Sequence, residues 1–510
     1  MPCFIELLRE GMRKHAAKTA LEYEDEAITY GELELRAKSV AAILQEMGLA
    51  RGDRAVLYTC EKLPFIICHL GVLMAGGASL PLNPDFTRPE MEYFLKDSGA
   101  RFVFATGDEA RIIQSLLSVC REVKAVIDPL EVIKTDKAHH FRSPEIAPDD
   151  PALFLYSSGT TGEPKGAVHT HSNLAASLLA LKDCWRFDPE DVLLHSLPLF
   201  HIHGLSFAAH LALITGTTMI MEKHFHPIRT LEKLQRATVF MAVPPMYYAF
   251  LRRPEFKAHA AKCKRVRLFT CGSAPIRPEV LPHLQAILGK PLINRYGMTE
   301  SHVITSLPLH GPHKTGSVGL PLPGLEMKLV AEDGTICKAG ERQSDGSPKV
   351  GEVMIRGKNL FKDYWGKPHI RDESFDRDGY FATGDLGYLD EDGFLTLVGR
   401  KRDLIITEGF NVYPPVVEKV INGFPQVHES AVIGIEDERR GERVVAVVVP
   451  EGKLNIKALR AYCVERLAAY QIPREFHIVQ ELPRNTMGKV LKRELKKQFS
   501  EARRPARAVR

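Results

Sequence analysis

Residues 156–170 read YSSGTTGEPKGAVHT, directly after the apolar run ALFL. Serine and threonine hydroxyls, glycine backbone N–H groups and a lysine within so short a span are the parts of a loop that wraps an anion. A Walker-type loop would need G-x-x-x-x-G-K-[ST] running into a helix. Here the fifth position after Gly159 is Pro164, Lys165 is followed by Gly166, and AVHTH has an extended texture. A helix start is signalled only in HSNLAASLLALK, where Ser172 or Asn173 stands in position to cap an apolar-periodic run. The stretch therefore predicts a strand, a phosphate-gripping loop of non-Walker type, a second extended segment and then a helix. A flexible surface loop is the competing reading, disfavoured by the lysine and the preceding strand.

Outward from this loop, the chain of 510 residues exceeds what one hydrophobic core usually serves, so two or more domains are expected. With 45% hydrophobic and 26% charged residues it has the composition of an ordinary soluble protein. A net charge of +5, with the charges interleaved, argues against nucleic acid as a partner. The tail KRELKKQFSEARRPARAVR is locally basic and reads as a solvated, partly frayed end. Nine cysteines without a C-x-x-C pair fit reduced thiols in a cytoplasmic compartment rather than disulfides or structural zinc. The N-terminus MPCFIELLREGMRKHAAK has helical periodicity with charges instead of a signal sequence. FIICHLGVLMAGGASLPL, from Phe65, is interrupted by His69, glycines and a proline, and reads as a buried helix followed by a strand, not a membrane span.

Strand-like runs (RAVLYT, RFVFAT, KAVID, ALFLYS) alternate with helical ones (GELELRAKSVAAILQEMG, PEMEYFLKDSG), and the alternation resumes after the loop with TTMIME, ATVFMAV and VRLFTCG. This predicts an α/β fold: a large N-terminal domain of mixed, mainly parallel sheets covered by helices. From about Lys314 to Gly399, short β runs with Asp-Gly turns predict a β-rich subdomain. Beyond GRKRD, the pattern VVEKVINGF, VHESAVIGI, ERVVAVVVP, ALRAYCVERLAA predicts a small α+β C-terminal domain. The expected boundaries are 1–400 and 403–500, with a hinge near Arg402 and a basic tail at 501–510.

YSSGTTGEPKG, LPLFHIHG, CGSAP, NRYGMTES, TGD at Thr383–Asp385, GRKRDLIITEGFNVYP and PRNTMGK occur in the order seen in the adenylate-forming superfamily of acyl-CoA synthetases, luciferase and peptide-synthetase adenylation domains. The resemblance spans nearly the whole chain. It implies an enzyme that joins a carboxylic acid to ATP as an acyl-adenylate, releases pyrophosphate, and passes the acyl group to a thiol. By that resemblance Ser157, Ser158, Gly159, Thr160, Thr161, Gly162 and Lys165 are expected at the β- and γ-phosphates. Gly272, Ser273, Ala274, Pro275, Asn294, Arg295, Tyr296, Gly297 and Met298 are expected to line the nucleotide, with Tyr296 as the adenine-stacking face. The Thr299 hydroxyl would donate to the α-phosphate, and Glu300, with Thr160, would hold Mg2+, a hard cation that prefers oxygen ligands. Asp385 and Arg400 would bind the ribose hydroxyls, and Lys489 would bridge the acyl carboxylate and the α-phosphate.

The same resemblance makes Arg402 the pivot of the small domain, where Asp or Lys is usual, and places Gly409 and Phe410 at the coenzyme A tunnel. His201 and His203 fall at the mouth of the acyl pocket, without the further ligands a metal would need. Arg295 resembles the arginine of malonyl-CoA synthetases and could pair bidentately with a second carboxylate. Two acids stay open on the sequence: a malonate or methylmalonate type, and a short- or medium-chain fatty or aromatic acid, the latter if Arg295 pairs with a protein carboxylate. Free coenzyme A is the simpler acceptor, and a carrier-protein adenylation enzyme is the rival. A homodimer is compatible with the chain.

Overall fold

The computed structural model describes residues 2–158, 164–437, 439–484 and 489–501. Two large sheets make up most of the N-terminal part. One runs, edge to edge, through Leu320–Pro321, His302–Ser306, Leu292–Met298, Leu268–Cys271, Val239–Ala242, Val192–His195, Thr218–Met221, Thr19–Tyr23 and Glu26–Thr29. Its six middle strands are parallel, and antiparallel strands close both edges. The other runs through Asp363–Tyr364, Pro164–Thr170, Pro151–Ser158, Ala78–Pro81, Arg54–Leu57, Phe102–Phe104 and Ala125–Ile127. The helix Lys62–Met74, buried on every face and apolar apart from Lys62 and His69, packs in the core between them and is followed by the strand Ala78–Pro81, as FIICHLGVLMAGGASLPL predicts. Parallel strands covered on both faces read as continuous apolar runs, which is why this region lacks strict alternation.

The β-rich subdomain is a separate antiparallel sheet of Ile336–Cys337, Leu325–Val330, Gly351–Gly357, Phe381–Leu389 and Leu395–Arg400. The C-terminal part has its own sheet, built on the long antiparallel pair Val427–Asp437 and Gly441–Pro450, and its own apolar clusters. Among the described residues, no helix is long and apolar enough to cross a membrane.

Two local expectations are corrected. The helix after the loop is His171–Trp185, capped by Thr170 rather than Ser172 or Asn173: the Thr170 hydroxyl accepts from the Asn173 N–H, and Asn173 returns the bond to the Thr170 N–H. Asn173 thus serves as the third-residue partner, within the first turn, of a reciprocal cap. The first half of the basic tail is the helix Lys492–Glu501, not a frayed end. Leu495 is buried beside Ala431, Ile433 and Val445, so one apolar stripe is enough to dock an otherwise charged helix. Residues 502–510 lie outside the described residues.

Candidate active site

The opening stretch folds as a hairpin, Pro151–Ser158 against Pro164–Thr170, with Ser157 directly across from Lys165. Ser157 Oγ donates to Glu300 Oε1 at 2.8 Å, and the Tyr364 hydroxyl donates to the same oxygen at 3.0 Å. The Lys165 ammonium lies 5.5 Å from the centre of the Tyr364 ring. Glu300 and Lys165 are only 5% and 6% exposed, so an anion and a cation are held at the stem of one loop, oriented by a shared tyrosine. Gly159, Thr160, Thr161 and Gly162 lie outside the described residues, as does the Ser158 side chain. Among the described residues no group of three or more His, Cys, Asp or Glu could hold a metal. A lone buried carboxylate fits Mg2+, which keeps waters and takes its remaining ligands from substrate phosphates.

NRYGMTES forms the strand Leu292–Met298 and a tight turn into His302–Ser306. Gly297 is required there, because a Cβ would stand 2.2 Å from the His302 carbonyl oxygen. The Tyr296 hydroxyl donates to Asp385 Oδ2 at 2.6 Å, and Arg400 Nε lies 3.0 Å from Asp385 Oδ1. Asp385 and Arg400 are register partners on neighbouring strands, so the sheet itself sets their pairing. Burial, and then Asp385, push the Tyr296 phenol well above its usual value, keeping it a donor. The Asn294 side chain donates to the Ser317 carbonyl at 3.0 Å, a brace within the protein.

Arg295 points the other way along the strand and is 3% exposed. Its guanidinium carbon sits 4.9 Å from the Phe207 ring centre, Nη2 reaches Ser273 Oγ at 3.4 Å, and Nε has no partner. Gly272 makes room: a Cβ there would lie 2.6 Å from the guanidinium carbon. No carboxylate among the described residues pairs with it, and burial lowers its pKa to about 10. Ser273, with φ of +71°, also contacts His203 Nδ1 at 3.2 Å, while His203 Nε2 is buried without a partner. Ala274 and Pro275 follow on the same loop, partly or fully exposed. His203 opens the π-helix His203–His210, and His201 packs on Phe200 at 4.6 Å. Burial depresses both histidines, His201 to about 4 and His203 further, so each is a neutral group, and His203 is the one that meets Arg295.

From the small domain, Lys489 faces Arg400, Asp385, Arg402 and Asp403. Burial first, then Arg400, push its pKa down to about 8. Arg402 lies in the 3-10 turn Lys401–Asp403, 3.8 Å from Asp403. The hairpin holding Gly409 (φ +83°) and Phe410 is elsewhere: Phe410 stacks on Tyr470 with centroids 4.6 Å apart, and Asn411 donates to Glu332 of the β-rich subdomain at 3.2 Å. Arg277 donates to the His428 carbonyl at 3.3 Å and Arg252 to its Nε2 at 3.1 Å, a second contact between the two parts. Sequence reasoning missed Tyr364 and Phe207. Neither carries a spacing signal, since each meets its partner only through tertiary packing.

Residues 8–365 match the AMP-binding enzyme family, and residues 416–489 match the AMP-binding enzyme C-terminal domain. The chain belongs to this adenylate-forming family, and its class is that of the AMP-forming acid–CoA ligases. A mitochondrial malonate–CoA ligase of Mus musculus is 34% identical, over 92% of this chain and 87% of that one. A long-chain fatty-acid–CoA ligase of Bacillus subtilis is 30% identical, over 97% and 94%. ATP-bound MatB from Rhodopseudomonas palustris superimposes with a TM-score of 0.91 at 35% identity, covering 98% of this chain and 99% of that one. Its apo form, at the same identity and coverage, gives 0.80. The arrangement of this chain, with Lys489 at Asp385 and Arg400, is thus nearer the ATP-bound form.

Proposed function

We propose that the acid is a short dicarboxylate of the malonate or methylmalonate type, adenylated with ATP and then transferred to coenzyme A. The observation that carries this is Arg295, a buried guanidinium paired with no carboxylate among the described residues. A buried charge is retained where something pairs it. A second carboxylate of the acid would meet the planar fork of Arg295, with Ser273 and neutral His203 as further hydrogen-bonding groups. The fatty-acid alternative required Arg295 to be neutralised within the protein, and no such partner is found among the described residues.

On this reading Ser157 and Lys165, with the loop between them, hold the β- and γ-phosphates, and Thr299 donates to the α-phosphate. The Lys489 ammonium offsets charge where carboxylate and α-phosphate meet, without moving a proton. Tyr296 offers its face to adenine while its hydroxyl steadies Asp385, the ribose acceptor, beside Arg400. Glu300 is the Mg2+ ligand, and the ion supplies charge neutralisation on the phosphates. Arg402 is the pivot, and Gly409 and Phe410 belong to the thiol-transfer arrangement.

The test is a pair of specificity constants, for malonate and butyrate, in wild type, Arg295→Leu and Arg295→Lys. Breaking a buried charge pair costs roughly 2–5 kcal/mol, so Arg295→Leu should lose about a hundredfold or more on malonate while gaining on butyrate. Arg295→Lys should recover only part, since an ammonium lacks the two-donor fork. A wild type that prefers butyrate or longer monoacids ends the dicarboxylate reading and leaves the ligase class standing.

A further inference from the structure

Behind the turn that carries Thr299 and Glu300 runs a buried string of polar side chains. His169 Nε2 lies 2.8 Å from the Thr299 carbonyl oxygen, His302 Nε2 lies 3.1 Å from His169 Nδ1, and Ser206 Oγ lies 3.4 Å from His302 Nδ1. All three side chains are fully buried. The two rings stand edge to face, with centroids 4.5 Å apart.

The order of donors follows from the ends. A carbonyl only accepts, so His169 Nε2 carries its hydrogen. A neutral His169 is then bare at Nδ1 and accepts from His302 Nε2–H, which leaves His302 Nδ1 to accept from the Ser206 hydroxyl. The reverse order needs a charged, buried His169 that no carboxylate among the described residues pairs. The string therefore runs in one direction, from Ser206 to Thr299.

Both ends touch the candidate site. The Thr299 carbonyl and the Glu300 N–H belong to one planar peptide, so fixing that carbonyl fixes the plane between the two side chains. Ser206 lies on the π-helix His203–His210, which also presents Phe207 to Arg295 and His203 to Ser273. His302 is itself held at φ of +61°, a conformation that a non-glycine residue keeps only where its surroundings over-determine it.

We propose that His169 and His302 are positioning residues for adenylation: the string from Ser206 to the Thr299 carbonyl sets the Thr299–Glu300 peptide plane and ties it to the wall of the acid pocket. The proposal rests on the assignment of Thr299 and Glu300 to the phosphates and their metal.

The experiment compares His169→Leu, His169→Gln and Ser206→Ala in two half-reactions: pyrophosphate release from acid and ATP, and thioester formation from supplied acyl-adenylate and coenzyme A. His169→Leu should lower kcat for pyrophosphate release by about ten- to a hundredfold, the range for loss of an outer-shell partner, with thioester formation and the KM for the acid unchanged. His169→Gln, whose amide can donate to Thr299 and accept from His302, should retain most of the rate, and Ser206→Ala should fall between. Equal losses in both half-reactions, or His169→Leu and His169→Gln behaving alike, overturn the proposal. Should His169→Leu not fold, a wild-type rate of pyrophosphate release in Ser206→Ala overturns it. A wild type that releases pyrophosphate only with monoacids removes the dicarboxylate reading and leaves the string; one that releases none with any acid removes both.

Discussion

Tyr296 and Asp385 are joined by a 2.6 Å hydrogen bond that links the turn of NRYGMTES to the sheet of the β-rich subdomain. The phenol is the donor, and the same carboxylate meets Arg400 on its other oxygen. On the proposed reading one tyrosine thereby serves both adenine stacking, which the sequence led us to expect, and support of the ribose acceptor Asp385, which it did not.

Tyr296→Phe keeps the ring and removes the donor. A hydrogen bond to a charged group contributes about 1.5–3 kcal/mol, so the KM for ATP should rise by about tenfold or more while kcat moves less. Steady-state kinetics with varied ATP decide it, and an unchanged KM would separate the two tasks again.

Lys489 should act in adenylation alone. Lys489→Ala is expected to cut pyrophosphate release by orders of magnitude and to spare thioester formation from supplied acyl-adenylate. The working form is the ammonium, present below the depressed pKa of about 8 and lost above it. In wild type, kcat/KM for ATP should therefore decline as pH rises through about 8, with no such limb in the thioester half-reaction. Equal loss of both half-reactions in the variant counts against the assignment.

Arg402 occupies the second position of a turn in which the Leu404 N–H reaches the Lys401 carbonyl at 3.3 Å. Proline suits that position, so Arg402→Pro should preserve the described arrangement while removing the backbone freedom needed to leave it. Pyrophosphate release should persist and thioester formation should fail. Normal overall turnover in the variant would take the pivot role away from Arg402.

Glu300→Gln keeps the shape beside Ser157 and Tyr364 but removes the charge that a hard cation requires. Turnover should fall and the Mg2+ concentration for half-maximal rate should rise. An unaltered Mg2+ dependence with lower turnover would assign Glu300 to the loop stem rather than to the ion.

The architecture was legible because its signals are local. YSSGTTGEPKGAVHT announces two extended segments around a loop through composition, though not that they pair as a hairpin, and the parallel strands announce themselves through apolar runs between helices. Asp385 and Arg400 could be named from motifs, and the register of two adjacent strands then pairs them. What escaped depends on distance in space. Tyr364 reaches Glu300 across 64 residues, and His169 reaches the Thr299 carbonyl across 130. The helix cap at Thr170 was missed because Ser172 and Asn173 have equally good capping chemistry, and only the backbone conformation chooses among them. For Arg295 the sequence left two partners open, and the choice turns on the absence of a carboxylate among the described residues around it, which no motif encodes.

The setting of Arg295 also means that the fold and the chemistry pull in opposite directions. A guanidinium enclosed by Phe207, Cys271 and Gly272, with no carboxylate among the described residues to pair it, burdens the folded state, whatever it gives the reaction. An apolar residue there would suit the core better, so Arg295→Leu should raise the thermal stability of the chain by the very change that, on the proposed reading, abolishes recognition of a diacid. On the proposed reading, the arginine at this position serves the substrate at the expense of the core.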